Sequence, residues 1–326
     1  MINENTNSIN PTALLPADEA FGLVIKEVEN AIAKAPRVVR QYTAHLLSSR
    51  GKYIRASSLI TCGQNEEGLV HPNTVKLAAA VEVLHLATLV HDDVIDDADL
   101  RRGEMTLQKK YGKRTAVICG DYLLCTSLVL AASISEKEKY LNLTLPDYAG
   151  KICAGELEQH INNFNLDLSI YQYLKIISGK TAALFEASFY AGAVLAGYDR
   201  KECNRYRRLG FYVGMIFQLT DDLMDFESTK EISLKPVQSD YEQGVITLPL
   251  IHTLKNMVDF RQKAEKKDIT RQEINTAVKH SGGLVFTKQI VDKYYKKAIK
   301  VINELSLDSV KKAKLTEVLN KASRLG

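Results

Sequence analysis

Residues 77–90 read LAAAVEVLHLATLV, and residues 91–103 follow them directly as HDDVIDDADLRRG. The first stretch holds one carboxylate and one histidine among apolar residues, which is typical of a buried helix. The second stretch places five aspartates within eight residues. On a helix, Asp92 and Asp96 lie one turn apart on the same face, with Asp93 beside them. Carboxylates held this close repel one another unless they are protonated or bridged by cations.

A second segment repeats this pattern far along the chain. Residues 214–226, GMIFQLTDDLMDF, are again mostly apolar and again contain D-D-x-x-D. A single acidic run at a helix end is commonly a solvated surface, but two identical runs on two apolar helices most simply face each other across a cavity. Carboxylate oxygens bind hard divalent cations, and Mg²⁺ suits substrate phosphates best. The sequence therefore predicts a magnesium site formed by Asp92, Asp93, Asp96, Asp221, Asp222 and Asp225.

The pattern around these motifs predicts an all-α fold. Apolar residues recur at spacings of three and four, with almost no two-residue alternation. The 18 Gly and 7 Pro are few for a protein rich in tight turns. Long helices are predicted over about 73–97, 169–196 and 199–226, the last beginning with a capping box of Asp199 and Glu202. No repeat or linker is visible, so we expect one domain over residues 1–326, a single large bundle of long helices. Residues 1–15 are expected to be disordered.

Composition excludes several classes of protein. The 43 Lys and Arg against 39 Asp and Glu give a net charge of +4, so nothing predicts a nucleic-acid partner. Five cysteines without a C-x-x-C pair predict neither a disulfide framework nor a zinc site, and favour the reducing cytoplasm. The polar start of the chain lacks the pattern of a signal peptide. No uncharged apolar run reaches about 18 residues, so no membrane span is expected.

Basic residues accompany the aspartates. Arg101 and Arg102 follow the first motif, Lys52 and Arg55 lie in the segment GKYIR, and Lys180 precedes a threonine. Arginine and lysine are the usual partners of phosphate oxygens. Each one alone is more often a solvated surface residue, so the inference of a phosphate site depends on the whole set.

Together, GKYIR and the two aspartate-rich motifs resemble the all-trans isoprenyl diphosphate synthases of the polyprenyl type, from about residue 18 onward. Members of this kind make hexaprenyl to octaprenyl chains for quinones. The resemblance implies a bundle of long helices around a deep central cavity, dimerisation, and three Mg²⁺ ions that hold an allylic diphosphate such as farnesyl diphosphate. It also implies that isopentenyl diphosphate is the second substrate.

The resemblance assigns roles residue by residue. It implies catalytic roles for Asp92, Asp93, Asp96, Arg101, Lys180, Asp221 and Asp222. It implies that the allylic diphosphate is bound by Arg101, Lys180, Thr181, Gln218 and Lys235. It implies that isopentenyl diphosphate is bound by Gly51, Lys52, Arg55, His85 and Arg102. A lone histidine in an apolar helix is more often a core residue, but His85 precedes Asp92 by two turns, on the same face and about 10 Å away.

The sequence departs from the family pattern in three places. Arg50 and Ala56 stand where the family usually has an outer Gly and Pro, and Leu234 stands where a Gly usually precedes the lysine at 235. A lysine common in short-chain members corresponds to Val245. The first two departures concern loop geometry and leave the charges in place.

Two small residues bear on product length. Ala87 and Thr88 stand five and four residues before Asp92, at positions where short-chain relatives carry aromatic side chains. Small residues in place of aromatic ones predict a long product. A helical wheel places Thr88 near the aspartate face and Ala87 off that face, so the role of Ala87 comes from the resemblance alone. Either residue changed to Phe is predicted to shorten the product.

Three alternatives remain open at this point. A class I terpene cyclase shares the first motif, but it usually carries N-D-x-x-S-x-x-x-E where residues 214–226 have the second aspartate triplet. A di-iron bundle would use Glu82-x-x-His85, yet it needs two such elements and two further glutamates. Finally, some relatives act as two unlike subunits, so this chain is either a homodimer or a catalytic subunit that is inactive without a small partner. Peripheral membrane contact would suit a greasy product.

Overall fold

The computed structural model describes residues 13–47, 51–136, 147–227, 241, 243–266 and 268–324. Helices dominate these residues, and the only strands among them are two antiparallel pairs of two-residue strands, so the predicted all-α fold is confirmed. The helices are α1 (Ala17–Ala33), α2 (Arg37–Thr43), α3 (Ile54–Gly63), α4 (Pro72–Ile95), α5 (Leu107–Tyr111), α6 (Lys113–Ala132), α7 (Tyr148–Ile161), α8 (Ile170–Ile177), α9 (Ala183–Leu195), α10 (Arg200–Glu227), α11 (Leu248–Asn256), α12 (Val258–Glu265), α13 (Arg271–His280), α14 (Gly283–Glu304) and α15 (Ser309–Ser323). A 3₁₀ turn at Ala44–Leu47 follows α2.

The helix that carries the first motif begins and ends for local reasons. Pro72 occupies the first turn of α4, where its missing N–H costs nothing, and the His71 side chain accepts a hydrogen bond from the Asn73 backbone N–H at 3.1 Å. The helix ends at Ile95, and Asp97 then adopts a φ of 50°. The predicted helix therefore stops before the last aspartates of the run.

Two apolar clusters form the core. In one, α4 packs against α6 and α1; in the other, α10 packs against α9 and α14. Large buried side chains such as Phe185, Phe189 and Tyr206 fill the second cluster. The two aspartate motifs thus lie on helices that belong to different clusters.

The predicted helix over 169–196 is interrupted in the structure. Helices α8 and α9 are joined by a π turn at Ser178–Ala182. A Cβ at Gly155 would lie 2.3 Å from the Lys180 backbone nitrogen, and one at Gly214 would lie 2.5 Å from the Ala182 Cα. Glycines therefore allow α7 and α10 to approach the π turn from two sides, which fixes the backbone of Lys180 and Thr181.

Order begins earlier than the sequence predicted. Leu15 pairs with Val70 and Pro16 with Leu69, and the Leu15 side chain is buried in the cluster around α1 and α4. The expectation of disorder is therefore wrong at Leu15, because burial and strand pairing order it. Residues 1–12 lie outside the described residues.

Two helices are long and apolar enough to cross a membrane by length and composition, namely α4 and α6. The prediction concerned uncharged apolar runs, and both helices contain charged residues, Glu82 in α4 and Asp121 in α6, so they do not contradict it. Helix α4 is a core helix that carries the first aspartate motif, and α6 packs one face on α4 while leaving an apolar face exposed. The core helices of globular proteins share this length and composition.

Candidate active site

Both aspartate motifs line one pocket, which has a volume of about 1240 Å³. Asp92 and Asp96 reach it from the end of α4, and Asp221, Asp222 and Asp225 reach it from the end of α10. The other predicted site residues on its wall are Gly51, Lys52, Arg55, His85, Thr88, Arg101, Arg102, Lys180, Thr181 and Gln218. Lys235, Arg50 and Leu234 lie outside the described residues. The two distant motifs therefore bring five of their six aspartates to one pocket.

Asp93 and Ala87 do not line the pocket. Asp93 is buried, and its Oδ1 accepts a hydrogen bond from Arg101 Nε at 2.7 Å. Ala87 points away from the pocket and is buried in the core cluster that α4 forms with α6 and α1. Asp93 is turned by about 100° from Asp92 on the helix, and its part in holding a metal ion stays a prediction. The ion pair with Arg101 stabilises the buried carboxylate in that orientation.

A two-residue hairpin places the two arginines. Leu100–Arg101 pairs with Glu104–Met105, and Arg102 and Gly103 form the turn with φ values of 53° and 83°. Positive φ at both central residues is the signature of a hairpin turn that matches the strand twist. The turn directs Arg101 to Asp93 and Arg102 to the pocket wall near Gly51, where a Cβ would lie 3.5 Å from Arg102 NH1.

The charged form of the aspartates in the first motif is disfavoured. Burial raises the pKa of Asp92 to about 7, with Lys180 opposing the shift and Glu156 and Asp96 adding to it. Burial also raises the pKa of Asp96. A carboxylate whose charge is disfavoured in this way is stabilised by a cation. This end of the pocket therefore has the electrostatics of a site that binds positive charge.

Lys180 lies between this motif and α7. Its Nζ donates to Glu156 Oε1 at 2.9 Å. Burial alone would lower the pKa of Lys180, but the carboxylates of Glu156 and Asp92 outweigh it and the pKa is raised. Lys180 therefore stays charged and presents a fixed positive charge to the pocket.

The second motif is held by hydrogen bonds. Gln218 Nε2 donates to Asp222 Oδ1 at 2.8 Å, and Thr181 Oγ1 donates to Gln218 Oε1 at 2.7 Å. The Tyr173 hydroxyl donates to the other oxygen of Asp222. Asp222 is 2% exposed, so these donors satisfy a carboxylate that has lost most of its contact with water.

The C-terminal helix supplies a further cation. Arg324 NH2 donates to Asp221 Oδ1 at 2.7 Å, immediately after α15. The start of the same helix is fixed by buried Lys311, whose Nζ donates to the Tyr198 hydroxyl at 2.9 Å and to the Cys62 carbonyl at 3.2 Å. Anchored at its start, α15 brings its last residues to the pocket.

A second basic group lines another part of the wall. The Arg55 guanidinium lies 4.6 Å from the centroid of the Phe185 ring, and burial lowers its pKa to about 10. Its Nε is buried and has no hydrogen-bond partner among the described residues. Burial, and then the nearby arginines, lower the pKa of His85 well below its usual value, so this histidine is neutral. A donor without a partner beside other cations fits an oxyanion ligand.

Comparison with known proteins identifies the chain. The polyprenyl synthetase family matches residues 36–281. Heptaprenyl diphosphate synthase component 2 of Bacillus subtilis is 34% identical, over 88% of this chain and 83% of its own length. The chain belongs to the polyprenyl synthetase family.

Solved structures agree with this assignment. A heptaprenyl diphosphate synthase from Staphylococcus aureus superposes with a TM-score of 0.86 at 33% identity, covering 96% of this chain and 99% of that one. A polyprenyl synthase from Caulobacter crescentus, complexed with calcium and isoprenyl diphosphate, gives 0.83 at 28% identity, covering 94% and 95%. This polyprenyl synthetase is therefore a prenyltransferase, which sets aside the terpene cyclase and di-iron alternatives.

The donor set of this synthetase fits a magnesium site. Five aspartates line the pocket, and carboxylate oxygens are the ligands that Mg²⁺ prefers. Among the described residues, no three acidic, histidine or cysteine side chains already lie together as a metal site. The two sets of carboxylates lie on different helices, and these aspartates are the residues that would hold a metal ion, whose positive charge would balance the negative charge of a diphosphate.

Sequence reasoning missed three residues of the site: Glu156, Tyr173 and Arg324. Glu156 lies on α7, for which no motif was recognised. Its carboxylate accepts a hydrogen bond from Lys180, which lies in the π turn. Tyr173 precedes Lys180 by two turns, and this spacing could have drawn attention to it. Arg324 lies at the far end of the chain, where no signal in the sequence points to the pocket.

Proposed function

We propose that this polyprenyl synthetase joins isopentenyl diphosphate to an allylic diphosphate such as farnesyl diphosphate and makes a long all-trans polyprenyl diphosphate that serves as a quinone side-chain precursor. The observation that carries the proposal is the convergence of both aspartate motifs on one pocket that also contains Arg55 and His85. Two heptaprenyl synthases are among the similar proteins, which supports a long product.

The aspartates that line the pocket would hold the metal, and three Mg²⁺ ions per site are proposed from the family resemblance. The solved relative with calcium and isoprenyl diphosphate supports a divalent cation beside the diphosphate. When bound, Mg²⁺ supplies positive charge that balances the negative charge growing on the departing diphosphate. Asp93 is assigned a different task, since its carboxylate orients Arg101.

Different side chains bind the two substrates. Lys180 and Arg101 hold the allylic diphosphate and stabilise its charge as the C1–O bond breaks. Arg55, Lys52 and Arg102 hold isopentenyl diphosphate, so that its C4 alkene carbon attacks C1 of the allylic cation. The proton that is then lost passes to the departing diphosphate. Apolar groups on the wall exclude water, which would otherwise quench the cation.

Product length is proposed to depend on Thr88. Its side chain lines the pocket, whereas Ala87 is buried in the core on another face of α4. Thr88→Phe should shorten the longest product, measured by mass spectrometry. Ala87→Phe, which the resemblance also predicts to shorten the product, is the comparison: overpacking a core position costs about 1–3 kcal/mol, so the buried position of Ala87 favours lower stability as its main effect. Unchanged product length in Thr88→Phe would refute the role of this residue.

The exposed face of α6 supports a dimer. Val117, Ile118, Leu128 and Val129 lie on it and are solvent-exposed in the single chain. We propose that a second copy covers this face. The Bacillus subtilis relative is a component 2, so a small unlike subunit is the other candidate. Light scattering of the purified chain distinguishes a dimer from a monomer, and Val129→Asp should dissociate a homodimer.

The function is tested with the purified chain, Mg²⁺, labelled isopentenyl diphosphate and farnesyl diphosphate. Stepwise elongation to long prenyl diphosphates is the expected result. Cyclic hydrocarbons, or no consumption of isopentenyl diphosphate even with a small partner subunit present, would refute the proposal. Activity that depends on the partner would identify a heterodimer. The five free cysteines support the proposal that the reaction takes place in the cytoplasm.

A further inference from the structure

The product must grow in one direction along the bundle. The diphosphate end is fixed near Asp92, and the pocket extends along α4 as far as Glu82. The ten residues between them span about 15 Å. Ile152 and Leu184 provide apolar wall on this side. A growing hydrocarbon therefore extends from the aspartates toward the N-terminal end of α4.

The same end of the bundle contains the start of α10. Arg200 precedes Asp221 by 21 residues, about 30 Å along the helix. Because α4 and α10 both bring aspartates to the pocket near their C-terminal ends, their N-terminal ends lie away from it. Helix α14 runs antiparallel to α10: Lys288 Nζ pairs with Glu227 Oε1 at 2.7 Å near the pocket, and its last residues lie beside the start of α10.

A basic groove lies at this far end. Its volume is about 550 Å³, and it is lined by Arg200, Lys201, Asn204, Arg205, Arg208 and Glu304. Arg200 and Lys201 are exposed and make no ion pair among the described residues. Arg208 NH2 lies 3.9 Å from Glu304 Oε2, which is a weak contact. Arg205 is paired with Glu202, so three further cations, Arg200, Lys201 and Arg208, face one carboxylate and leave the groove positive, although the whole chain is nearly neutral.

The carboxylates of the acidic residues close to the groove in sequence or contact already accept other hydrogen bonds. Asp199 Oδ1 accepts from the Glu202 backbone N–H at 2.7 Å, and Asp308 Oδ1 accepts from the Lys311 backbone N–H at 2.8 Å. Both carboxylates cap helix N-termini, where the helix dipole partly offsets their charge. Glu202 does not complete the predicted capping box, because its carboxylate accepts from Arg205 NH1 at 2.5 Å and from the Ser306 backbone N–H at 3.0 Å.

Exposed basic residues of this kind suit a surface of anionic phospholipids, where each Lys or Arg contributes about 1 kcal/mol. An isolated basic groove also suits free phosphate, but the direction of product growth favours the membrane because the hydrocarbon needs an apolar destination.

We propose that this basic groove docks the protein on the anionic phospholipid surface of a membrane, at the end of the bundle toward which the product grows. The inference rests on the proposed function for its purpose, but binding is measurable without catalysis. The groove residues take no part in prenyl transfer, so their substitution should leave activity in detergent solution unchanged.

The test is co-sedimentation of the full chain with vesicles of phosphatidylcholine containing about one third phosphatidylglycerol, against pure phosphatidylcholine. The unaltered chain should prefer the anionic vesicles, and R200E/K201E should bind them at least about tenfold more weakly. The matched control K255E/K279E makes the same charge change on α11 and α13 and should bind as the unaltered chain does. An equal loss of vesicle binding in both double variants would overturn the proposal, and so would the absence of a preference for anionic vesicles.

A second arm separates lipid headgroups from free anion. Inorganic phosphate and sodium chloride at equal ionic strength should release the protein from vesicles equally, since both only screen charge. Release by phosphate alone would assign the groove to a soluble anion and overturn the membrane proposal. Prenyl transfer is assayed separately in detergent; its absence would refute the proposed function and leave the vesicle result to decide the docking surface.

Discussion

The two D-D-x-x-D motifs have the same letters and different surroundings. In the first, the middle aspartate turns away from the pocket to Arg101, while burial raises the pKa of Asp92 to about 7. In the second, Asp222 lines the pocket and is held by Gln218 and a tyrosine hydroxyl. One motif therefore presents carboxylates that lack enough compensating charge, and the other presents a carboxylate that is already positioned.

This difference shows that equal sequence patterns do not give equal roles. The first motif ends its helix and leads into a hairpin, whereas the second lies within a helix that continues to Glu227. The first should respond most to the arrival of a cation. The second should respond most to loss of its hydrogen-bond donors.

The largest effect is expected from the first motif. Asp92→Asn should lower turnover by roughly 10²–10³, because it removes a carboxylate that would hold the Mg²⁺ whose charge stabilises the departing diphosphate. Asp93→Asn should cost less, about tenfold, and its effect should overlap with that of Arg101→Lys in a double-mutant cycle. Steady-state kinetics at saturating Mg²⁺ measures all of these. Equal losses for Asp92→Asn and Asp93→Asn would show that both aspartates act directly and would remove the distinction drawn between them.

A smaller effect is expected from the donor to the second motif. Tyr173→Phe should weaken Mg²⁺ binding by about 10–100-fold, because partners of ligand carboxylates orient them. Tyr171→Phe is a matched control on the same helix, since Tyr171 is 77% exposed. Calorimetric titration in the presence of a non-reactive bisphosphonate measures the affinity. If both variants bind Mg²⁺ as tightly as the unaltered chain, the hydroxyl of Tyr173 has no part in orienting Asp222.

A still smaller effect is expected at the C-terminal arginine. Arg324→Gln removes a partly exposed ion pair with Asp221, and such pairs contribute about 0–1 kcal/mol. Without the competing cation, Mg²⁺ should bind the substrate-free chain up to about fivefold more tightly. Lys321→Gln on the same helix serves as the control for loss of charge. Weaker binding in Arg324→Gln would mean that the arginine supports the metal site instead of competing with it.

The smallest effect concerns stability and pH. Asp92 ionises near 3.8 when unfolded and near 7 when folded, so between these values the folded state holds more protons. Stability of the metal-free chain therefore falls as pH rises through this window. Asp92→Asn removes that loss, and its melting temperature should exceed that of the unaltered chain by a few degrees at about pH 8. Asp97→Asn, on the exposed side of the turn, should show no such gain in the presence of EDTA.

Much of the fold followed from apolar spacing, because long amphipathic helices leave a strong periodic signal. The convergence of the motifs followed from finding one pattern on two apolar helices. Other features depend on contacts between distant residues and leave no local signal. The orientation of Asp93 depends on a hairpin turn with positive φ at Arg102 and Gly103. The pairing of Leu15 with Val70 and of Glu156 with Lys180 joins elements whose proximity only the folded chain reveals.

The π turn at Ser178–Ala182 makes the chain sensitive to length at that point. A π turn contains about one residue more than an α turn, so deleting one residue there would restore a regular helix. The wider turn takes up the extra residue, so the side chains on either side would keep their faces, and Phe185 and Phe189 would stay in the core. The deletion would instead remove the wide turn that sets the backbone of Lys180 and Thr181 at the pocket, so it should lower activity more than stability.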